Sequence, residues 1–280
     1  MSPYWEDCWG NPSSRQNRLS LNASAAISLA REQLSSLLKV SQERLIFTSG
    51  ATESNNLALL GYARANYFRK GSPGHLITLA TEHYAVLEPL RQLRKEGFSV
   101  SELSPNKDGL LLLEDLVHEF RDNTFLVSVM AANNEIGVIQ PIENISKICK
   151  SREIIFHSDF AQCLGYIEFN DLFSDVNMIT ISSHKIYGPK GIGLLLIDDD
   201  IDLQPLIFGG GHEYGFRSGT LPLPLIVGFT KAIEIAVFNQ KKNAHRLLVH
   251  RDTLLKGLLE NNSGLLINGS IKKRLPHNLN

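Results

Sequence analysis

Short apolar runs rich in β-branched and aromatic residues alternate along this chain with longer segments whose apolar positions recur every three or four residues. The short runs are "RLIFTSG", "HLITLA", "FSVSEL", "FLVSVMAA", "EIIFHSDFA" and "VNMITISS". The segments between the early ones, such as "TESNNLALLGYARAN" and "YAVLEPLRQLRKEG", have helical spacing and close near Gly or polar residues. That alternation predicts βαβ units and a mostly parallel sheet. After "VNMITISS" a glycine-rich turn leads at once into "GIGLLLIDDD", too soon for a crossover helix, so this strand is expected antiparallel to its predecessor. From Leu221 to about Asn262 the pattern is helical; "GLLINGS" then begins something new, and "RLPHNLN" reads as the opening of a strand. The expected organisation is an N-terminal segment over 1–40, a large domain over 41–225, and connecting helices with the start of a smaller domain over 226–280.

Composition narrows the class. With 280 residues and 43% apolar content, the chain can bury roughly three quarters of its unfolded surface. A formal charge of −1 from 28 basic and 29 acidic residues gives no long-range field to recruit nucleic acid or an anionic membrane. Cys8, Cys149 and Cys163 are scattered and odd in number, which points to a reducing compartment, the cytoplasm, rather than a disulfide framework. The start "MSPYWEDCWGNPSS" has neither a basic nor an apolar leader region, and no apolar run approaches the ~20 residues of a spanning helix.

In open α/β sheets ligands gather at the carboxyl ends of the strands, and four such ends are unusually polar here. In "FTSGATESNN", Ser49 to Thr52 lie between a strand and a helix, where free backbone N–H groups suit a phosphate; the plain alternative is a helix cap by Ser49 or Thr52. In "MAANNEIG", Asn133, Asn134 and Glu135 either bind a small polar ligand or make a turn. In "FHSDFAQ", Asp159 closes an otherwise apolar strand and needs a cation or several donors if buried. His157 shares its face at i, i+2, but no third metal ligand follows at a sensible spacing. In "SSHKIYGPKGIG", Lys185 follows a strand; a lysine in an apolar pocket has a depressed pKa and becomes a nucleophilic amine. A phosphate at a helix start, a cationic ring nitrogen facing Asp159 and an aldehyde captured by Lys185 together describe pyridoxal 5′-phosphate. Ser182 and His184 stand where they complete the phosphate site, and the following glycines admit close backbone approach. A nucleotide P-loop is excluded, because the chain has no G-x-x-x-x-G-K-[ST] and no strand-linked G-x-G-x-x-G.

"GNPSS", "FTSGATESNNLAL", "TEHYAVL", "NNEIGVIQPI", "FHSDFAQ", "SSHKIYGPKGIG" and "GGGHEYGFRSGTLP" occur in the order and approximate spacing of cysteine desulfurases, which they resemble over nearly the whole chain. These enzymes fall in the class V aminotransferase group of fold-type-I pyridoxal-phosphate enzymes. The resemblance implies an α/β fold with a mostly parallel, seven-stranded-type sheet flanked by helices and an incomplete small domain. It implies that Lys185 bonds the cofactor and moves the substrate proton, that Asp159 pairs with the ring nitrogen, and that Gln162 bonds the ring's phenolic oxygen. His83 would stack on the ring and assist proton transfer, and Asn134 would contact substrate and cofactor. Ala51, Thr52, Ser182 and His184 would cradle the phosphate, joined by Thr220 of a second subunit, so that a homodimer follows. The substrate implied is L-cysteine, with sulfur passing to an acceptor protein; Arg217 receives no catalytic role.

The pattern also departs from that family. The family's sulfur-accepting cysteine, on a mobile loop far toward the C-terminus, and an arginine for the substrate carboxylate are expected beyond Asn280, and an Ala-Thr-Thr turn is expected upstream of "GNPSS". Among the resident cysteines, Cys163 and Cys149 are expected in the core and Cys8 in an unstructured start, none on a loop that can swing. Two other readings stay open: another class V enzyme, such as an aminotransferase or a selenocysteine lyase, and a non-catalytic remnant that binds cofactor. The basic stretch "KKNAHRLLVHRDTLLKG" reads as a solvated helix face.

Overall fold

A computed structural model describes residues 1–168 and 175–280. Seven strands form one sheet: β1 (Leu45–Thr48), β2 (His75–Leu79), β3 (Ser99–Leu103), β4 (Thr124–Ser128), β5 (Ile155–Asp159), β6 (Met178–Ser182) and β7 (Gly193–Ile197). All seven fall on the apolar runs predicted from the sequence. The order across the sheet is β1-β7-β6-β5-β4-β2-β3. Pairing is parallel from β6 through β5, β4 and β2 to β3, and β7 runs antiparallel to both β6 and β1, as the short glycine turn required.

Every residue of β1, β2, β4, β6 and β7 is buried, because helices cover both faces. On one face, Leu45, Phe47, Phe156, Ile179 and Leu194 pack with Ile27 and Leu34 of helix α2 (Arg18–Leu38), which follows the short α1 (Ser2–Glu6). On the other, Ile46, Leu126, Met178 and Leu195 pack against a continuous helical run. That run comprises α3 (Ala51–Asn56), a π turn (Leu57–Gly61) and α4 (Tyr62–Lys70), with α5 (Tyr84–Lys95) beside it. Among the described residues the chain also forms α6 (Leu113–Glu119), α7 (Ile142–Lys150) and α8 (Leu223–Asn261).

Three details differ from the sequence reading. Residues 274–280 form no strand; only an isolated antiparallel bridge joins Arg274 to Val138, with Leu275 N–H donating to Gly137 O at 2.8 Å. Pro276 has no N–H to continue that pairing. The start is not unstructured, since α1 precedes Cys8, whose N–H donates to Pro3 O. Finally, α8 is long and apolar enough, by length and composition, to cross a membrane, with one 18-residue window of mean hydropathy 1.2. Its Leu223, Ile226, Phe229 and Ile233 belong to the core beside the sheet.

Candidate active site

The chain leaves β1 through Ser49 and Gly50 and enters α3 at Ala51. Gly50 has φ +150° and ψ 179°, a conformation open essentially to glycine alone. It caps α3 without a side-chain bond, so neither Ser49 nor Thr52 is the cap that their residue types allowed. Ser49 N–H donates instead to Glu53 Oε2 at 2.7 Å, and Arg217 Nε donates to Glu53 Oε1 at 2.8 Å. The backbone N–H groups at the start of α3 therefore remain available to an anion.

At the end of β5, Asp159 is 7% exposed and is held by donors rather than by a contacting cation. Asn55 Nδ2 donates to its Oδ2 at 2.7 Å, and Ala161 N–H to its Oδ1 at 2.8 Å. Burial raises its pKa above the usual carboxylate range, while the two hydrogen bonds and the nearby His83 and Lys185 pull the other way.

Next to β5, β6 ends at Ser182 and the chain tightens into a 3₁₀ turn, His184–Ile186. Ser182 Oγ and His184 Nδ1 are 2.9 Å apart. Burial and the charges of Lys185 and Lys190 lower the pKa of His184, which favours the neutral imidazole. After Tyr187, at φ +63°, Gly188 packs so closely that a Cβ there would meet Ser183 Oγ at 2.2 Å. Lys185 itself is exposed, which corrects the expectation of a lysine activated by an apolar pocket.

His83 precedes α5 and caps it, its Nδ1 accepting from Ala85 N–H at 3.0 Å; the neutral ring therefore carries its proton on Nε2. In the loop after β4 the two asparagines divide their work. Asn133 Oδ1 accepts from Glu135 and Ile136 N–H, each at 2.9 Å, and so builds the turn, leaving Asn134 on the cavity wall.

Ala51, Thr52, His83, Asn134, Asp159, Gln162, Ser182, His184 and Lys185 all line one cavity of about 540 Å³, within the usual range for a small ligand. Thr220, the remaining candidate, is exposed and lies outside that lining. The structure adds residues that the sequence reading did not single out for the site. Met130, Ala132 and Lys190 line the cavity, Asn55 holds Asp159, and Glu82 is buried beside His83. Asn55 is four residues after Ala51 on the phosphate-side helix, the spacing that brings a second side chain onto the same face.

The residues fit pyridoxal phosphate by their chemistry: a buried carboxyl with a lysine and a histidine nearby, a reachable primary amine, and hydroxyl, imidazole and free amide donors on the same wall. His157 is not available as a metal ligand. It is wholly buried, lies 2.9 Å from Ser128 Oγ and 3.2 Å from Thr180 Oγ1, and burial pushes its pKa down to about 3. Cys149 and Cys163 are in the core as expected; burial pushes the Cys149 thiol up to about 12 and, with the Asp159 charge, holds Cys163 well above its usual value.

The class-V aminotransferase profile matches residues 1–280. The cysteine desulfurase IscS of Vibrio vulnificus is 47% identical over 274 residues, which cover 97% of this chain and 67% of that protein; the IscS of Histophilus somni is 45% identical over the same extent. Among solved structures, a NifS-like protein superposes with a TM-score of 0.94 at 37% identity, covering 100% of this chain and 75% of its own. DndA from Streptomyces lividans superposes with a TM-score of 0.89 at 38% identity, over 99% and 77%.

Proposed function

Because the chain belongs to the class-V aminotransferase family, we propose that it takes part in cysteine desulfuration: L-cysteine is converted to L-alanine, and its sulfur passes to an acceptor thiol as a persulfide. The observation that carries this reading is that Lys185 and Asp159, on neighbouring strand ends, line the same ring-sized cavity. Pyridoxal phosphate, when bound, supplies an aldehyde for the amine and a ring that accepts the electron pair of the substrate's Cα–H bond.

This chain's own residues do the rest. Asp159, fastened by Asn55 and Ala161, would hold a proton at the ring nitrogen. Lys185, exposed and free to swing, receives the substrate's Cα proton and returns a proton as alanine forms. His83 presents a ring face and an Nε2 proton, and Gln162 donates to the phenolic oxygen. Asn134 contacts the substrate. Ala51 and Thr52 at the start of α3, with Ser182 and His184, take the phosphate; Thr220 joins them from a second copy in a homodimer. Cys149 and Cys163 are too deeply buried to receive sulfur, so the acceptor thiol is neither of these. The scattered unpaired cysteines favour the cytoplasm as the site of action.

The test is spectroscopic first. Mixing the purified chain with pyridoxal phosphate is expected to give a protein-bound visible absorption band that L-cysteine changes and Lys185→Ala abolishes. Absence of the band in the native chain, or its survival in Lys185→Ala, would overturn the reading. Quantifying alanine and sulfide on adding cysteine then tests turnover.

A further inference from the structure

At the end of β4 the backbone amides alternate between two neighbours. Val129 N–H donates to His157 O at 3.1 Å and Ala131 N–H to Asp159 O at 2.9 Å, both on the β5 side. The intervening Met130 N–H must therefore face the β2 side. There, however, β2 has already ended at Leu79, and the chain turns back, with Glu82 N–H donating to Leu79 O at 3.1 Å. The missing strand carbonyl is replaced by a side chain: Glu82 Oε1 accepts from Met130 N–H at 2.6 Å. A second bond runs between the same segments, Asn133 Nδ2 donating to Thr81 O at 3.0 Å.

Those two segments carry His83 on one side and Met130, Ala132 and Asn134 on the other, all on the wall of the cavity. We propose that Glu82 is a positioning residue: its carboxyl oxygen completes the ladder that β2 abandons and so keeps the turn bearing His83 in register with the loop bearing Asn134. This inference rests on reading the cavity as a pyridoxal phosphate site, although the clamp itself is a property of the folded chain.

The state of the carboxyl makes the role specific. Glu82 is 6% exposed, and its Oε2 has no hydrogen-bond partner among the described residues. Burial raises its pKa well above the usual carboxylate value; the Met130 hydrogen bond opposes this and the charge of Asp159 adds to it. The neutral acid, with a carbonyl-like Oε1 toward Met130, is the form that suits this place, and glutamine copies it closely. Leucine keeps much of the bulk and removes the acceptor.

Three measurements test the proposal on the full chain: amide hydrogen exchange at Met130, affinity for pyridoxal phosphate, and the visible circular dichroism of the bound cofactor. In the native protein the Met130 amide should be protected like those of β4. Glu82→Leu should speed its exchange, weaken pyridoxal phosphate binding about tenfold and change the visible dichroism, while amides of β6 and β7 stay protected. Glu82→Gln should restore all three readouts. Native behaviour of Glu82→Leu, or a Glu82→Gln protein as impaired as Glu82→Leu, overturns the proposal. Should Glu82→Leu fail to fold, the native and Glu82→Gln proteins still decide: a Met130 amide exchanging like an exposed one, or a Gln variant unlike the native protein, refutes the clamp. A native chain that binds no pyridoxal phosphate sinks the cofactor reading alone, because the exchange measurements remain informative.

Discussion

The carboxyl ends of β5 and β6 lie side by side in the sheet and are finished in opposite ways. At β5, Asp159 is buried and both its oxygens accept hydrogen bonds from groups of the folded chain. At β6, Lys185 sits on a tight 3₁₀ turn, with its side chain exposed. One end is a buried carboxyl whose burial is only partly offset by preorganised donors; the other is an amine exposed to the cavity. Chemistry that must hold one proton still while passing another needs both kinds of end.

Removing either group should break the contrast differently. Lys185→Ala is expected to lower turnover by roughly 10²–10⁴-fold, while the urea midpoint stays near native, because an exposed side chain contributes within about 0.5 kcal/mol. A large loss of stability in this variant would mean the lysine is structural. Asp159→Ala should act on both counts. It weakens cofactor binding and, by leaving Asn55 Nδ2 and Ala161 N–H without an acceptor, costs about 1–3 kcal/mol on urea unfolding. Unchanged stability would show that these donors find water instead.

A finer probe is Asn55→Leu, which removes one of the bonds that lower the pKa of Asp159. Asp159 should then take its proton at higher pH, so the acid limb of the cofactor's visible pH titration should move upward; a limb that stays in place would show that Asn55 does not set the charge.

A probe that leaves the site itself untouched lies deeper along β5 and at the start of β2. His157 and His75 have pKa values pushed by burial down to about 3 and about 4 from 6.5. Between pH 6.5 and those values the unfolded chain binds protons that the folded chain refuses. The stability that the neutral rings contribute is thus complete above pH 6.5 and is lost as the pH falls. Urea midpoints measured from pH 7.5 to 4.5 should decline, and less steeply in His157→Gln; a flat native profile would refute this.

Much of the fold was legible locally. All seven strands, the antiparallel reversal at β7 and the long helix after Leu221 follow from runs of apolar residues, from spacing, and from a turn too short to hold a helix. Nine of the ten candidate site residues come together because they stand at strand ends or in the segments that follow them, where a parallel sheet gathers its chain ends. Asn55 and Glu82 were not singled out, since each matters through a partner distant in sequence, 104 residues away for Asn55 and Asp159 and 48 for Glu82 and Met130. The C-terminal stretch was misread because its apolar residues suggested a strand, whereas the folded chain offers it a single bridge on the loop after β4.

By itself, then, the order of residues determined which segments become strands and helices and which polar groups sit at the strand ends, because those follow from short-range periodicity and backbone sterics. Only the packed structure decided which of these groups are buried and which stay exposed, and who donates to whom. Burial and hydrogen-bond partnership are set by neighbours that the chain brings together only on folding.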